Sequence, residues 1–189
     1  TTASIAEAGG VVDTTGNGNN GQAFGGVAVV ETEIGRAFQF DGSDDYISTN
    51  MSGASLSSAA FSFCVNLKTT DVNRAVLIGN YLNPSMSEYF NIELYGSGEV
   101  RLATAEIGQA SLSNAALNTG NFVHLVVVFD GSNSFTTFVN GILDKTTTVG
   151  SLLPGSGLLM IGRDGRTGVT SFAGIMAGIR IYNRALTAS

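Results

Sequence analysis

Several residue types are rare or missing in this sequence of 189 residues, which has no tryptophan, one histidine, one cysteine and two prolines. The single Cys64 excludes an internal disulfide, and its place in the apolar segment 61–67 predicts a small buried side chain. No apolar run is long enough for a membrane-spanning helix, and no signal peptide is recognisable. Because the chain starts at Thr1 and stops at Ser189, we expect a processed chain or a piece of a longer one.

Charge is scarce as well. Only 13% of the residues are charged, and the nine basic residues are spread thinly along the chain. Nucleic-acid binding needs clustered lysine and arginine to displace counterions, so the sequence argues against that class of function. The net charge of −6 disfavours docking on anionic membranes, and we expect no membrane insertion.

Period-two alternation is the dominant pattern. In the segment 61–67 the apolar residues share one face of a predicted strand, and the segment 89–95 alternates in the same way. The segment 122–129 is apolar on both faces, which is typical of a central strand. The segment 172–182 is predicted to be the last strand. The best helix candidate, Ala110–Leu117, is short and rich in serine and asparagine, and the segment 55–60 is predicted to form one turn at most.

Asn140-Gly141 is the strongest turn signal. Asparagine and glycine both accept positive φ, so this pair predicts a two-residue hairpin between antiparallel strands. Many short strands with turn dipeptides between them predict an all-β antiparallel sandwich or jelly roll. Nothing in the chain resembles a linker, and the prediction is a single domain over residues 1–189.

Four segments, in this order, resemble the laminin G-like and concanavalin A-like jelly-roll family of bacterial and viral surface proteins: Glu7–Gly21, Gly35–Ile47, Phe122–Gly141 and Ile161–Leu186. The resemblance implies two packed, curved antiparallel sheets that often bind glycans or proteins. It also implies a structural cation near the first strands and the last one. There the family usually has an Asp-Glu pair, and this chain has Ala177-Gly178 instead, which removes one expected ligand.

A calcium site is one candidate function of the N-terminal quarter. Calcium takes six to eight oxygen ligands from carboxylates, amides and carbonyls in flexible loops. The candidate ligands, with Glu7 as a further completion, are Asp13, Asn17, Asn19, Asn20, Asp41 and Asp44. The alternative is that 16–21 is a glycine-rich turn and that Asp44-Asp45 is a solvated loop.

A carbohydrate-binding strip is the second candidate. Sugars are held by directed hydrogen bonds and by aromatic rings under their apolar faces. Candidate residues in adjacent predicted strands and in the loops 81 and 162–167 are Tyr81, Tyr89, Asn91, Tyr95, Arg101 and Arg163. The alternative is a half-exposed strand face, and the strongest stacking residue, tryptophan, is missing.

Catalysis has weaker candidates. A retaining glycosidase needs two carboxylates about 5–5.5 Å apart, and Glu31 and Glu33 are the only glutamates spaced to share a strand face. They lack the glutamate-rich pattern of laminarinase-like relatives and are typical of solvated acids. His124, the only histidine, lies in an apolar strand and offers a poor general base. We expect a protein that is not an enzyme.

These observations lead to one prediction and one alternative. The prediction is a non-catalytic recognition module that binds carbohydrate on an extracellular, cell or virion surface. The alternative is a structural, decoration or adhesion module of a larger assembly, whose partners are neighbouring protein subunits. The sequence leaves the glycan, the oligomeric state and the presence of calcium open.

Overall fold

The structure is a computed structural model that describes residues 5–6, 10–56, 60–81, 87–150, 152, 155–165 and 170–187. In chain order its strands are β1 (Ile5–Ala6), β2 (Gly10–Val11), β3 (Gly21–Phe24), β4 (Ala28–Thr32), β5 (Gly35–Asp41), β6 (Tyr46–Ser52), β7 (Phe61–Lys68), β8 (Ala75–Gly79), β9 (Phe90–Leu94), β10 (Val100–Thr104), β11 (Gly108–Ser111), β12 (Val123–Phe129), β13 (Ser134–Val139), β14 (Ile142–Thr148), β15 (Leu158–Ile161) and β16 (Ala173–Tyr182). One 3-10 turn, Gly53–Leu56, lies between β6 and β7.

The strands form two antiparallel sheets, which confirms the predicted all-β sandwich. The nine-stranded sheet has the order β1-β2-β3-β6-β15-β8-β9-β10-β11, and the seven-stranded sheet has the order β14-β13-β12-β7-β16-β5-β4. No described helix is long and apolar enough to cross a membrane.

The helix candidate Ala110–Leu117 is wrong. Its first residues end β11, and the rest is a loop whose backbone continues to bond with the strand region. Leu112 donates its amide to the Val100 carbonyl, and the Ser113 hydroxyl accepts the Val100 amide at 2.8 Å. Serine competes with helical hydrogen bonds in this way, which favours irregular structure over a short helix.

The core lies between the two sheets and is rich in phenylalanine. Phe61 from β7 has its ring centroid 5.7 Å from that of Phe90 in β9, in the opposite sheet. The rings of Phe129 and Phe135 lie 5.6 and 6.2 Å from it within its own sheet. The predicted inward face of the segment 61–67 is therefore confirmed, and β12 is a central strand between β13 and β7.

The Asn140-Gly141 hairpin is also confirmed. Asn140 has a φ of 52° and Gly141 one of 79°, as a two-residue turn of this type requires. Val139 of β13 pairs with Ile142 of β14 directly across the turn. The Asn140 side chain also accepts the amide of His124 at 2.9 Å, which ties the hairpin to β12.

Truncation of Phe61 tests how much the shared ring cluster stabilises the sandwich. We expect Phe61→Ala to lower the free energy of unfolding by about 3–5 kcal/mol, because it leaves a cavity between the sheets. Urea unfolding measures this loss. Ile142→Ala is the matched control, since that side chain is 74% exposed and contributes little to the core. Similar losses in the two variants would contradict this view of the core.

Candidate functional site

The N-terminal loop 13–20 is organised by the carboxylate of Asp13. This carboxylate accepts the Thr15 amide at 2.9 Å, the Thr15 hydroxyl at 2.6 Å and the Asn19 amide at 3.1 Å. Asn20 accepts the Asp13 amide through its side chain, and Asn17 donates to the Thr15 hydroxyl. These bonds, led by that of the Thr15 hydroxyl, lower the pKa of Asp13. The predicted calcium ligands in this loop therefore form hydrogen bonds within the loop itself.

A second acidic group lies at the turn between β5 and β6, where the chain passes from one sheet to the other. The carboxylates of Asp41, Asp44 and Asp45 bring ligand oxygens within 4.8 Å of one another. Asp13 is outside this cluster, so the structure divides the predicted ligand set into two groups. Asp45 was missing from the predicted set, although its adjacency to Asp44 was a usable signal. The other predicted completion, Glu7, lies outside the described residues.

Asp45 is the unusual member of the acidic cluster, because its side chain is only 3% exposed. Its Oδ2 accepts the Asp41 amide at 2.8 Å, whereas its buried Oδ1 has no hydrogen-bond partner among the described residues. Burial raises the pKa of Asp45, and the negative charges of Asp41 and Asp44 raise it further. The hydrogen bond from the Asp41 amide lowers this pKa but does not cancel the rise. An orphaned buried carboxylate oxygen between two further acids fits a hard cation.

An aromatic pair flanks the acidic cluster. The rings of Phe24 and Tyr46 stack with their centroids 4.8 Å apart, and Phe24 is 39% exposed. The Arg163 guanidinium lies 5.0 Å from the centroid of the Tyr46 ring and donates to the Asp44 carbonyl at 3.4 Å. Because β3 and β15 flank β6 on opposite sides, Tyr46 lies between Phe24 and Arg163.

Gly25 explains why the aromatic pair forms next to the acids. It has a φ of 83°, and a Cβ placed on it would lie 2.5 Å from the Asp44 carbonyl oxygen. Only glycine permits this close approach, which brings the end of β3 against the turn. We call the assembled surface the rim site, and its members are Phe24, Tyr46, Arg163, Asp41, Asp44 and Asp45. Sequence reasoning missed both rings, although Tyr46 directly follows the Asp44-Asp45 pair that it had singled out.

The predicted carbohydrate strip does not form one exposed surface, because its middle is covered. Asn91 is 0% exposed and donates through its side chain to Asp164 at 2.9 Å. Thr170 donates to the other oxygen of the same buried carboxylate at 2.8 Å. The described part of the connection from β15 to β16 therefore covers Asn91 through Asp164.

Two separate tyrosine groups remain on either side of this cover. Tyr81 and Tyr89 meet edge to face at 4.6 Å, and Tyr95 lies 3.8 Å from the guanidinium of Arg101. Tyr89 and Tyr95 are about 20 Å apart along an extended chain. Of the predicted carbohydrate residues, only Arg163 belongs to the rim site.

The two glutamates considered for catalysis each pair with a different basic residue. Glu31 forms an ion pair with Arg36 at 3.5 Å, and Glu33 forms one with Lys68 at 3.5 Å. Burial lowers the pKa of His124, and the positive charge of Arg180 lowers it further. Its imidazole is therefore neutral at pH 7, on the outer face of the seven-stranded sheet.

The comparison with known families agrees with the fold. A model of laminin G type, described as the concanavalin A-like lectin/glucanases superfamily, matches residues 41–189. The chain belongs to this superfamily. The acidic turn that begins at Asp41, the hairpin at Asn140-Gly141 and the last strand all lie within the match. None of the curated proteins compared with the chain matches it in sequence.

Solved structures with the same fold include binding domains. Domain 4 of the extracellular arabinanase AbnA from Geobacillus stearothermophilus, solved with arabinotriose, has a TM-score of 0.75 and 20% identity over 93% of this chain and 88% of that one. The receptor-binding domain of a botulinum neurotoxin C/D mosaic has a TM-score of 0.71 and 16% sequence identity, over 99% of this chain and 48% of that one. The binding domain of Paraclostridial Mosquitocidal Protein 1 has a TM-score of 0.70 and 13% sequence identity, over 99% of this chain and 49% of that one. The chain thus spans about half of the two toxin domains, and identities this low show the fold alone.

The raised pKa of Asp45 gives a testable dependence on pH. Its folded pKa lies above its unfolded one, so its contribution to stability is greatest at low pH and falls as pH rises through the folded value. In EDTA, we expect Asp45→Asn to gain stability relative to the native chain as pH rises from 4 to 7. Chemical unfolding at each pH measures the difference. Glu106→Gln, in the exposed turn between β10 and β11, is the control, and an equal trend in both variants would contradict the assignment.

Proposed function

We propose that this protein is a non-catalytic recognition module that binds carbohydrate at the rim site. The observation that carries the proposal is the stacked, partly exposed pair of Phe24 and Tyr46 next to Arg163 and three carboxylates. Rings bind the apolar face of a sugar, and charged groups at their edge hydrogen-bond to its hydroxyls. The rim site combines both kinds of group, whereas the two separated tyrosine groups of the predicted strip do not.

The role of each group follows from its position. Phe24 offers an exposed ring, and Tyr46 is held in place from both sides by Phe24 and Arg163. The exposed carboxylates of Asp41 and Asp44 can accept hydrogen bonds from sugar hydroxyls, while Arg163 can donate. Charge-assisted hydrogen bonds of this kind are stronger than neutral ones and would orient the ligand.

The structural relatives support the same class of ligand. The arabinanase domain was solved with arabinotriose, and one botulinum toxin structure concerns dependence on two ganglioside molecules. Both ligands contain carbohydrate, and this chain corresponds to 88% of the arabinanase domain and 48% of the toxin chain. We infer a location on an extracellular or particle surface, in keeping with such ligands, and a single recognition domain over residues 1–189.

We further propose that the acidic cluster of the rim site holds Ca²⁺. Asp41, Asp44 and Asp45 would supply carboxylate ligands, and the orphaned Oδ1 of Asp45 marks the position. Calcium needs six to eight oxygens, so water or ligand hydroxyls would complete the shell. When bound, the ion would offset the repulsion among the three acids and fix the turn beside Tyr46.

Thermal melting with calcium or EDTA tests the cation. At a Ca²⁺ concentration near 100 times the dissociation constant, we expect stabilisation of about 2.7 kcal/mol and a rise in Tm of about 5 °C or more. Asp45→Asn should abolish the rise, because it removes one charged ligand. Asp13→Asn is the matched control from the other acidic group and should keep it. An unchanged Tm of the native chain, or loss of the rise only in Asp13→Asn, would refute the site.

Glycan binding is tested by a glycan array followed by titration calorimetry with the best array ligand. We expect Phe24→Ala and Arg163→Ala each to weaken binding at least tenfold, since they remove stacking and a charged donor. Tyr95→Ala is the control, because Tyr95 is 37% exposed but lies outside the rim site. Equal weakening by Tyr95→Ala would move the binding surface to the predicted strip.

A structural or decoration role is the second candidate, and one surface favours it. On the outer face of the seven-stranded sheet, register aligns four apolar residues across neighbouring strands: Leu143, Phe138, Val126 and Cys64. Leu143 is 59% exposed and adjoins Ile142 at the hairpin. Such a patch is typical of protein contacts. Absence of glycan binding together with self-association in analytical ultracentrifugation would support this role over the first.

A further inference from the structure

A cavity of 620 Å³ lies between the two sheets, beneath the N-terminal loop. Its apolar wall draws on both sheets: Phe38, Ile47, Ile161, Ile179 and Ile181. Asp13 and Asn17 of that loop also line it. No residue of the rim site lines it, so the two features are separate. Its volume is within the range of specific binding cavities, about 300–1,000 Å³.

One side of this cavity is bounded by the edge of β16, part of which has no partner strand among the described residues. β16 pairs with β5 only through Ala173–Met176, while β7 continues to pair with it up to Tyr182. A register shift between Ala177 and Arg180, with a φ of 58° at Gly178, separates the two halves of the strand. Among the described residues, none forms a backbone hydrogen bond to Gly178–Tyr182 on the side of β5.

The unpaired strand edge favours a ligand with regularly spaced hydrogen-bond donors and acceptors. In an antiparallel sheet, half of the backbone groups of a strand point to each neighbour, so Gly178–Tyr182 presents donors and acceptors to the open side. A second strand satisfies such a row with its own backbone groups at the same spacing. The five residues span about 17 Å. The groove therefore suits a short extended peptide.

The side chains along this edge alternate between the cavity and solvent. Ile179 and Ile181 pack against the core, whereas Arg180 between them is exposed. Within the described part of the chain, no carboxylate lies within 4.0 Å of the Arg180 guanidinium. Directly opposed residues in paired strands share a face, so an acidic residue opposite Arg180 would form a favourable cross-strand pair.

We infer that the edge Gly178–Tyr182 binds an extended segment of a protein partner by strand addition. The segment carries two apolar residues that enter the cavity beside Ile179 and Ile181, and an acidic residue between them that faces Arg180. This interaction would attach the recognition module to another polypeptide, through a surface independent of the rim site.

A capped pentapeptide, Thr-Val-Glu-Val-Thr, tests this inference on the whole chain. At millimolar peptide, we expect amide hydrogen exchange of residues 178–182 to slow at least threefold, because the strand edge becomes paired. Exchange in β14, at the far edge of the same sheet, is the internal control. Thr-Val-Lys-Val-Thr should protect these amides less.

Two further variants make the test decisive. Arg180→Glu, on an exposed side chain, should reverse the preference so that the lysine peptide protects better than the glutamate peptide. A glutamate peptide with N-methylated backbone keeps the side chains and the carbonyls but loses its donors, and its methyl groups prevent close approach to the strand edge, so it should give no protection. No protection by either unmodified peptide, equal protection by the methylated one, or an unchanged preference in Arg180→Glu would each overturn the inference.

Discussion

Contact between phenylalanine rings across the two sheets is the interaction on which the remaining structure depends. Phe61 belongs to the seven-stranded sheet and Phe90 to the nine-stranded one, and their rings meet in the middle of the core. A sheet with one apolar face is stable only when that face is buried against another layer. Once this packing fixes the two layers, the connections between them must cross the edges of the sandwich. The turn Asp41–Asp45 is one such crossing, and its short path forces three carboxylates together.

The sequence pattern predicts the two layers well, because side chains two residues apart in a strand point to the same face and are buried together. The alternation of Phe61, Phe63 and Val65 predicts that these side chains share the buried face. The pair Asn140-Gly141 predicts positive φ at both of its residues. Ala110–Leu117 is the best helix candidate in the sequence, but Val100 of β10 accepts the Leu112 amide and donates its own amide to the Ser113 hydroxyl, and these bonds override the helix. Local propensity is a weak prior where a strand edge is available for pairing.

The rim site could be predicted only in part, because its members come from three distant places in the chain. The acids at Asp41 and Asp44 were visible as an oxygen-rich segment, whereas nothing local places Phe24 against Tyr46 or Arg163 over that ring. The outer face of the nine-stranded sheet was mispredicted for a related reason. Alternation showed that Asn91 faces away from the core, but not that Asp164 would cover it. Contacts made by loops that cross a sheet leave no periodic signal.

The scarcity of charge makes the acidic cluster informative. A chain with only 13% charged residues has ample room to keep its acids apart, yet three of them share one turn. Two are exposed and can be solvated at little cost, but Asp45 is buried, and a lone ionised carboxylate in such a place is strongly unfavourable. A proton or a cation can offset its charge. A proton suits the raised pKa and neutralises Asp45 alone. A divalent cation would compensate all three carboxylates at once, and it would do so where the turn supports the Tyr46 ring. The same ion that relieves the buried acid would therefore fix the surface on which a sugar is proposed to stack.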